Sequence, residues 1–372
     1  MDVITIGLLV GGLTLLTVGG ELLVRGSSQL AALARISPLV IGLTVVSFGT
    51  SSPELAVSIQ AGLAGKSDIA VGNVVGSNIF NILFILGACA VISPLIVAVQ
   101  LIRREVPFMI AVSLLLAGLA LDGRIGRLDG VLLFGLLIGY IVWSIYASRK
   151  EGVEVQAEYE QEFGPTMLPN RSGTKVWFGS IGFIVIGLGL LALGSHWLVE
   201  GAVVLARAFG VSDVIIGLTI VAAGTSLPEV VASIIATLKQ ERDIAIGNAI
   251  GSNIFNILGI LGIAALVTPN GLTVVPALST FDIPVMIAVA FAALPIFVSR
   301  LSINRWEGLL FLGYYVAYTA YLILAATHHD ALPAFSSVMA LFVLPITALT
   351  LLVLMVNAVR RRDWVASHPS LR

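Results

Sequence analysis

Apolar stretches of 18 or more residues recur along the whole of this chain, each long enough to cross a bilayer core of roughly 30 Å as a helix. In lipid, the backbone has no water to bond and must satisfy its polar groups internally, which continuous runs of this length do as helices. The charged content agrees. Only 11% of the 372 residues are Asp, Glu, Lys or Arg, and 58% are hydrophobic. A soluble domain carries about 25% charged residues, so this chain has too few to cover a surface facing water. The expected fold class is an all-α polytopic membrane protein.

Apolar runs read against turn and charge signals give eleven spans, at about 3–24, 39–64, 69–92, 106–121, 128–147, 177–199, 214–237, 244–267, 281–299, 306–326 and 333–358. The polar, Pro- and Gly-containing segment 148–176 reads as a linker between halves. Met1-Asp2 runs straight into Val3–Val24 without a basic leader region, so the first span is expected to be retained. If the N-terminus is outside and every span crosses, 16 Lys and Arg residues fall on the cytoplasmic side: Arg25, Arg35, Arg103, Arg104, Arg149, Lys150, Arg171, Lys175, Lys239, Arg242, Arg300, Arg305, Arg360, Arg361, Arg362 and Arg372. Only 4 fall outside, namely Lys66, Arg124, Arg127 and Arg207. The positive-inside rule therefore selects an outside N-terminus and a cytoplasmic C-terminus. The single cysteine, Cys89, excludes an intrachain disulfide. A net charge of −1 and the lack of a basic cluster speak against nucleic acid.

The chain also repeats itself. Gly42–Gly87 aligned with Gly217–Gly262, at a constant offset of 175, gives 29 identities in 46 positions by direct count. Arg127-Leu128-Asp129-Gly130 is echoed by Arg305-Trp306-Glu307-Gly308. Each half then holds five spans, and an odd number makes the second half enter the membrane upside down. The expected organisation is a first five-helix repeat over 1–147, a cytoplasmic linker over 148–176 and an inverted repeat over 177–326. An additional C-terminal transmembrane helix with a basic tail follows over 327–372. Inverted repeats with the site at their interface are a recurring design of secondary transporters.

The repeated segments read GLTVVSFGTSSPELAVSIQAG then DIAVGNVVGSNIFNILFILG, and GLTIVAAGTSLPEVVASIIAT then DIAIGNAIGSNIFNILGILG. Glu54 and Glu229 each stand inside an apolar span that has no Lys or Arg. A bare charge at the bilayer centre costs at least about 2.5–3.5 kcal/mol on insertion scales. Two at matching positions imply either a cation between them or protonation. Thr50, Ser51 and Glu54 have i, i+1, i+4 spacing, so their oxygens cluster on one turn, and Thr225, Ser226 and Glu229 repeat the pattern. Pro53 and Pro228 cannot donate to the carbonyls four residues earlier, and nearby glycines loosen the turn further. The freed carbonyls, those of Ser47 and Ala222 among them, become candidate ligands. On the following spans Asn73, Ser77 and Asn81 form one polar stripe, and Asn248, Ser252 and Asn256 its twin. Interhelical hydrogen bonding is the bland reading of such stripes, and it suits Gly72, Gly76, Gly247 and Gly251 as packing residues. Ser77, Asn81, Ser252 and Asn256 are the better candidates for lining a cavity. Pooled, these groups offer carboxylate, hydroxyl, amide and carbonyl oxygens without His or Cys, a set for hard cations such as Ca2+ or Na+.

Other ionisable groups read as structural. Asp68 and Asp243 open the polar-stripe helices as N-caps, Glu21 pairs with Arg25 four residues on, Glu200 takes a similar place in the second half, and His196 packs within an apolar span.

The pair GTSSPE…GSNIFN and GTSLPE…GSNIFN closely resembles the alpha-repeats of the calcium/cation antiporter superfamily, in particular its prokaryotic sodium/calcium exchangers. The motifs cover about a quarter of the chain, and the ten-span inverted arrangement extends the likeness to most of the rest. The resemblance implies calcium coordination by Glu54 and Glu229. It implies sodium sites lined by Thr50, Ser51, Thr225 and Ser226, with Ser77, Ser252, Asn81, Asn256 and the carbonyls of Ser47 and Ala222 matching family ligands. Some relatives carry Asp where this chain has Asn256, and in potassium-dependent members that Asp is tied to potassium, so Asn256 points to potassium independence. Ser52, opposite Leu227, could add a hydroxyl. The eleventh span and Arg360-Arg361-Arg362 lie outside the ten-helix pattern.

The reading is a sodium/calcium antiporter of the cell membrane working by alternating access. Its partners are calcium and sodium ions and the lipid bilayer. The transported ions are its only implied ligands, with no cofactor and no obligatory protein partner. A calcium/proton antiporter using the same glutamates stays open, and a passive calcium channel is a more distant alternative. No aspartyl dyad, Ser/His arrangement or HExxH motif supports an enzyme.

Overall fold

The apolar runs become helices, and the computed structural model describes residues 3–34, 36–163, 174–353 and 356. Nine helices among the described residues are long and apolar enough to cross a membrane, and two bent pairs bring the spans to eleven. In chain order the spans are one (Val3–Ala34), two (Pro38–Thr50 with Ser52–Leu63), three (Ser67–Ile92), four (Leu101–Asp122) and five (Arg127–Arg149). Then follow six (Val176–Ala208), seven (Thr219–Thr225 with Leu227–Leu238), eight (Arg242–Val267), nine (Leu278–Ser299), ten (Arg305–Ala326) and eleven (Leu332–Val353). The number of spans and their order match the sequence expectation.

The two bent spans are equivalents in the repeat, and they bend where the sequence demands it. Pro53 and Pro228 sit in the first turn of Ser52–Leu63 and Leu227–Leu238, the place in a helix where a missing N–H costs least. Ser51 and Ser226 leave helical geometry just before them, and the helix axis turns by 47° in span two and 63° in span seven. Wide π-helical turns also recur in matching places: Gly42–Val46 and Gly217–Val221, Asn81–Leu86 and Asn256–Leu261, Leu101–Glu105 and Leu278–Asp282. Such turns widen the helix locally and are frequent at functional sites.

Spans three and eight form the centre. Val71, Val74, Val75 and Ile79 of one, and Ala249, Ile250, Ile254 and Ile257 of the other, are wholly buried in a single core cluster. Spans one and six pack against each other antiparallel along one flank. A Cβ placed on Gly19 would stand 2.8 Å from the carbonyl oxygen of Gly187, and one on Gly187 would stand 2.7 Å from that of Gly19. Gly12 with Gly194, and Gly26 with Ser180, make the same approach one heptad away in either direction. Two short antiparallel ribbons tie loops of opposite repeats together: Leu95–Ile96 with Ser302–Ile303, and Arg124–Ile125 with Leu272–Thr273. Span eleven stands apart. None of its apolar window is buried, and a cavity of about 530 Å³ lined by Phe281, Tyr314, Tyr318, Met339 and Leu351 separates it from spans nine and ten.

Several local expectations are corrected. Span one does not end near Val24 but continues to Ala34, because Gly26 lies against span six instead of terminating the helix. The fifth helix runs on to Phe163, so the polar segment expected as a linker from residue 148 begins as helix. Residues 164–173 and Arg360-Arg361-Arg362 lie outside the described residues. Lys66 and Glu241, not Asp68 and Asp243, hold the N-cap positions, and the aspartates sit in the first turn, where a helix N-terminus favours negative charge. Glu21 takes its hydrogen bond from Lys239 at 2.9 Å, while Arg25 lies over the Phe183 ring. His196 is not packed inside; it faces outward, 3.9 Å from Glu200.

The contact between spans one and six yields a paired prediction. Gly19→Ala should destabilise the protein by about 1–3 kcal/mol, because the new methyl meets backbone atoms that can only yield by separating two helices. Gly189→Ala, on the partner span six but with open space around it, should be neutral or stabilising. Thermal unfolding in detergent compares the two, and equal midpoints would refute the close-approach account.

Candidate cation-binding site

Glu54 and Glu229 each follow a bend, one turn into the second helix of spans two and seven, and both are 1% exposed. The repeats bring them to a common place by an exchange of hydrogen bonds. Ser226 donates to Glu54 Oε1 at 2.8 Å, and Ser51 donates to Glu229 Oε1 at 2.8 Å. Each carboxylate is thus held by the hydroxyl at the bend of the other repeat. Among the described residues neither glutamate pairs with a Lys, Arg or His, and Glu54 Oε2 and Glu229 Oε2 are buried without a hydrogen-bond partner in the protein.

A second layer of polar groups comes from spans three and eight. Asn73 Nδ2 donates to the Glu54 carbonyl at 3.3 Å and to Ser58 Oγ at 3.1 Å, and Asn248 Nδ2 does the same to Glu229 and Ser233 at 3.3 and 2.9 Å. Thr50 donates to Asn248 Oδ1 at 3.1 Å, and Thr225 Oγ1 lies 3.5 Å from Asn73 Oδ1. Deeper in, Asn78 and Asn253 reach across to each other's backbone carbonyl, and Asn81 and Asn256 donate to their Oδ1 atoms at 3.0 Å. Helical spacing alone did not single out Asn78, Asn253, Ser58 or Ser233. Asn78 and Asn253 stand one residue off the polar stripe, and their only visible signal was exact repetition within GSNIFN.

The sequence-predicted positions fall as follows. Glu54, Ser226 and Ser77 are contiguous, Ser226 Oγ lying 3.2 Å from Ser77 Oγ. Glu229 and Ser51 form the matching pair, and Ser252 Oγ is buried without a partner. Asn81 Oδ1 and Asn256 Oδ1 are also buried and unpartnered, although both amide nitrogens are bonded. Thr225 Oγ1 lies 3.5 Å from the carbonyl of Ala222. Two details differ from expectation. The Ser47 carbonyl is not freed by Pro53, because it accepts the Ser51 N–H at 3.0 Å and lies 3.5 Å from the Thr50 hydroxyl. The Ser52 hydroxyl turns back to the Phe48 carbonyl on an exposed face. The remainder is a set of buried oxygens that lack donors: two carboxylate, two amide and one hydroxyl. Leaving such acceptors unmet costs about 1–3 kcal/mol each, and more for charged ones. Oxygens of these types are the ligands that hard cations take.

The two repeats, nearly identical in these residues, are not packed identically. Gly42–Thr50 of span two lies tightly against span eight. A Cβ on Gly247 would stand 2.7 Å from the Leu39 carbonyl, and one on Gly251 would stand 2.6 Å from that of Leu43. The equivalent segment of span seven, Gly217–Thr225, stands away from span three. Cβ atoms on Gly217 and Gly76 would meet nothing within 4 Å, and one on Gly72 would meet only Leu278, at 3.8 Å. Ser47 and Asn248 are accordingly buried, while Ala222 is exposed and Asn73 half-exposed. The packing around the site is therefore tight on the face where span two begins and loose on the face where span seven begins.

Comparison with known proteins matches this architecture. The sodium/calcium exchanger protein family profile covers residues 4–146 and 179–324. The putative antiporter CaxA of Alkalimonas amylolytica is 42% identical over 324 residues, 86% of this chain and 98% of that protein. The sodium/calcium exchanger MaX1 of Methanosarcina acetivorans is 32% identical over 334 residues, 82% of this chain and 95% of its own. Among solved structures, the sodium-calcium exchanger NCX_Mj superposes with a TM-score of 0.72 at 31% identity, covering 86% of this chain and 99% of that one. With its duplicated, inverted five-span core and its family profile spanning both halves, this multi-pass membrane protein belongs to the sodium/calcium exchanger family of cation antiporters.

Proposed function

We propose that the chain exchanges sodium for calcium, with calcium held between Glu54 and Glu229 and the halves 1–147 and 177–326 alternating around it. The observation that carries this reading is the buried pair of carboxylates, each keeping one oxygen free of any protein donor. Two negative charges in a low-dielectric interior repel and are each costly to desolvate. One divalent ion cancels them, as do two or more monovalent ions. An unloaded pair cannot cross a sealed intermediate cheaply, so reorientation is tied to loading, and the two fluxes are coupled. The all-oxygen ligand set, including Thr50, Thr225, Ser77, Ser252, Asn81 and Asn256, suits both Na+ and Ca2+. The name of MaX1, a sodium/calcium exchanger, supports the same pair of ions. Asn256 is neutral, which fits a site that does not need a third, potassium-compensating charge.

The excess of Lys and Arg on one side supports an outside N-terminus and a cytoplasmic C-terminus. In that orientation span seven begins outside, and its loosely packed face beside Gly72, Asn73 and Gly76 is on the extracytoplasmic side.

Two measurements test the proposal. In proteoliposomes, an opposing sodium gradient should drive calcium uptake, and Glu54→Gln and Glu229→Gln should each abolish it while elution and melting behaviour stay normal. Retained transport in both variants, or uptake driven by a pH gradient without sodium, would overturn the assignment. The native thiol is buried, which permits a second test on intact cells. A membrane-impermeant maleimide should label Ala222→Cys and spare Ser47→Cys, and the reverse pattern would invert the sidedness.

A further inference from the structure

The unpartnered oxygens of Asn81 and Asn256 raise a question of amide orientation. A primary amide presents an acceptor on one side and two donors on the other. A cation is attracted by the first and repelled by the second, so a ligand asparagine is useful only if something decides which way it faces. Asn81 Nδ2 is held 3.0 Å from Asn253 Oδ1, and Asn256 Nδ2 is held 3.0 Å from Asn78 Oδ1. Reversing either amide would set two oxygens against each other and withdraw the free acceptor.

Asn78 and Asn253 are themselves fixed. Asn78 Nδ2 donates to the Asn253 carbonyl at 3.2 Å, and Asn253 Nδ2 donates to the Asn78 carbonyl at 3.3 Å. Those carbonyls lie where each helix widens into its π turn, at Asn81 and Asn256, and where the regular ladder of backbone bonds is interrupted. Each amide also has a methionine sulfur behind it, Met286 at 3.6 Å for Asn78 and Met109 at 3.5 Å for Asn253. Both asparagines are at most 2% exposed. The result is a two-fold network of four amides between spans three and eight, with the reciprocal Asn78–Asn253 pair at its centre and Asn81 and Asn256 at its ends, in which every Nδ2 is bonded within the network. The Oδ1 atoms of Asn78 and Asn253 are bonded as well, and those of Asn81 and Asn256 are the two left over.

We propose that Asn78 and Asn253 are positioning residues for the cation site, each dictating across the repeat interface that Asn256 and Asn81 present oxygen and not nitrogen. The inference rests on the cation-exchange reading, and the network also explains why the amide nitrogens of Asn81 and Asn256 need no acceptor from outside the two central spans. Residues that orient a metal ligand without touching the ion typically change metal affinity by about 10- to 100-fold when removed.

A mutant cycle tests it. Asn78→Ala should raise the calcium concentration for half-maximal exchange by about 10- to 100-fold, with the maximal rate altered much less. If Asn78 acts through Asn256, the double variant Asn78→Ala/Asn256→Ala should be no worse than Asn256→Ala alone, because coupled residues are not additive. The mirror cycle of Asn253→Ala with Asn81→Ala should behave likewise. Asn78→Asp, which keeps an oxygen facing Asn256 Nδ2, should lie closer to the parent than Asn78→Ala and serves where the alanine variant fails to fold. Additive losses in both cycles, or unchanged half-saturation in Asn78→Ala and Asn253→Ala, would overturn the inference. Equilibrium calcium binding to the purified variants reads the same cycle without transport. An unmodified protein that binds calcium but exchanges none would count against the exchange reading and leave the cycle to decide the role of Asn78.

Discussion

Two carboxylates buried inside a membrane protein, with no basic partner among the described residues, dictate most of what surrounds them. Charge at that depth is expensive, so the neighbouring groups are arranged to make it tolerable in one circumstance, when positive charge is present. The bends at Ser51 and Ser226 place hydroxyl donors opposite the glutamates of the other repeat. Pro53 and Pro228 fix where those bends occur. Asn73 and Asn248 tie the first turn of each re-started helix to the adjacent span. None of these contacts supplies a positive charge, and each leaves one carboxylate oxygen unmet.

Duplication makes this arrangement symmetric, and the symmetry has an energetic consequence. With 29 of 46 positions identical between repeats, a packing available to one half is nearly as favourable for the other. Span two rests against Gly247 and Gly251, whereas span seven stands off Gly72 and Gly76. The glycines that allow the first contact have counterparts waiting at the second. A second arrangement of similar energy, with the roles of the halves exchanged, would be the bistable element that the proposed alternating access requires. The network of Asn78, Asn81, Asn253 and Asn256 lies between spans three and eight and treats the two repeats alike, each bond having its counterpart from the other half.

The fold was largely legible in the sequence because lipid simplifies the problem. Apolar length marks a span, and an odd number of spans per repeat forces inversion. The candidate glutamates were legible for the same reason, since a lone Glu in an apolar run has no cheap explanation. Short-range packing was less visible. The extension of span one to Ala34 depends on Gly26 meeting Ser180, a contact between residues far apart in the chain. Helical periodicity passed over Asn78 because it stands one residue off the polar stripe, and its partner Asn253 belongs to the other half of the chain. The unequal packing of the repeats has no sequence signature, for near-identical segments cannot announce which of them is closed.

The central claim is that both repeats build one site at which calcium and sodium compete. Equilibrium calcium binding to the purified protein, titrated with sodium, tests this most directly. The account predicts one calcium per chain, displaced competitively by sodium and absent from either Glu54→Gln or Glu229→Gln. Two independent calcium ions per chain, or binding indifferent to sodium, would contradict it.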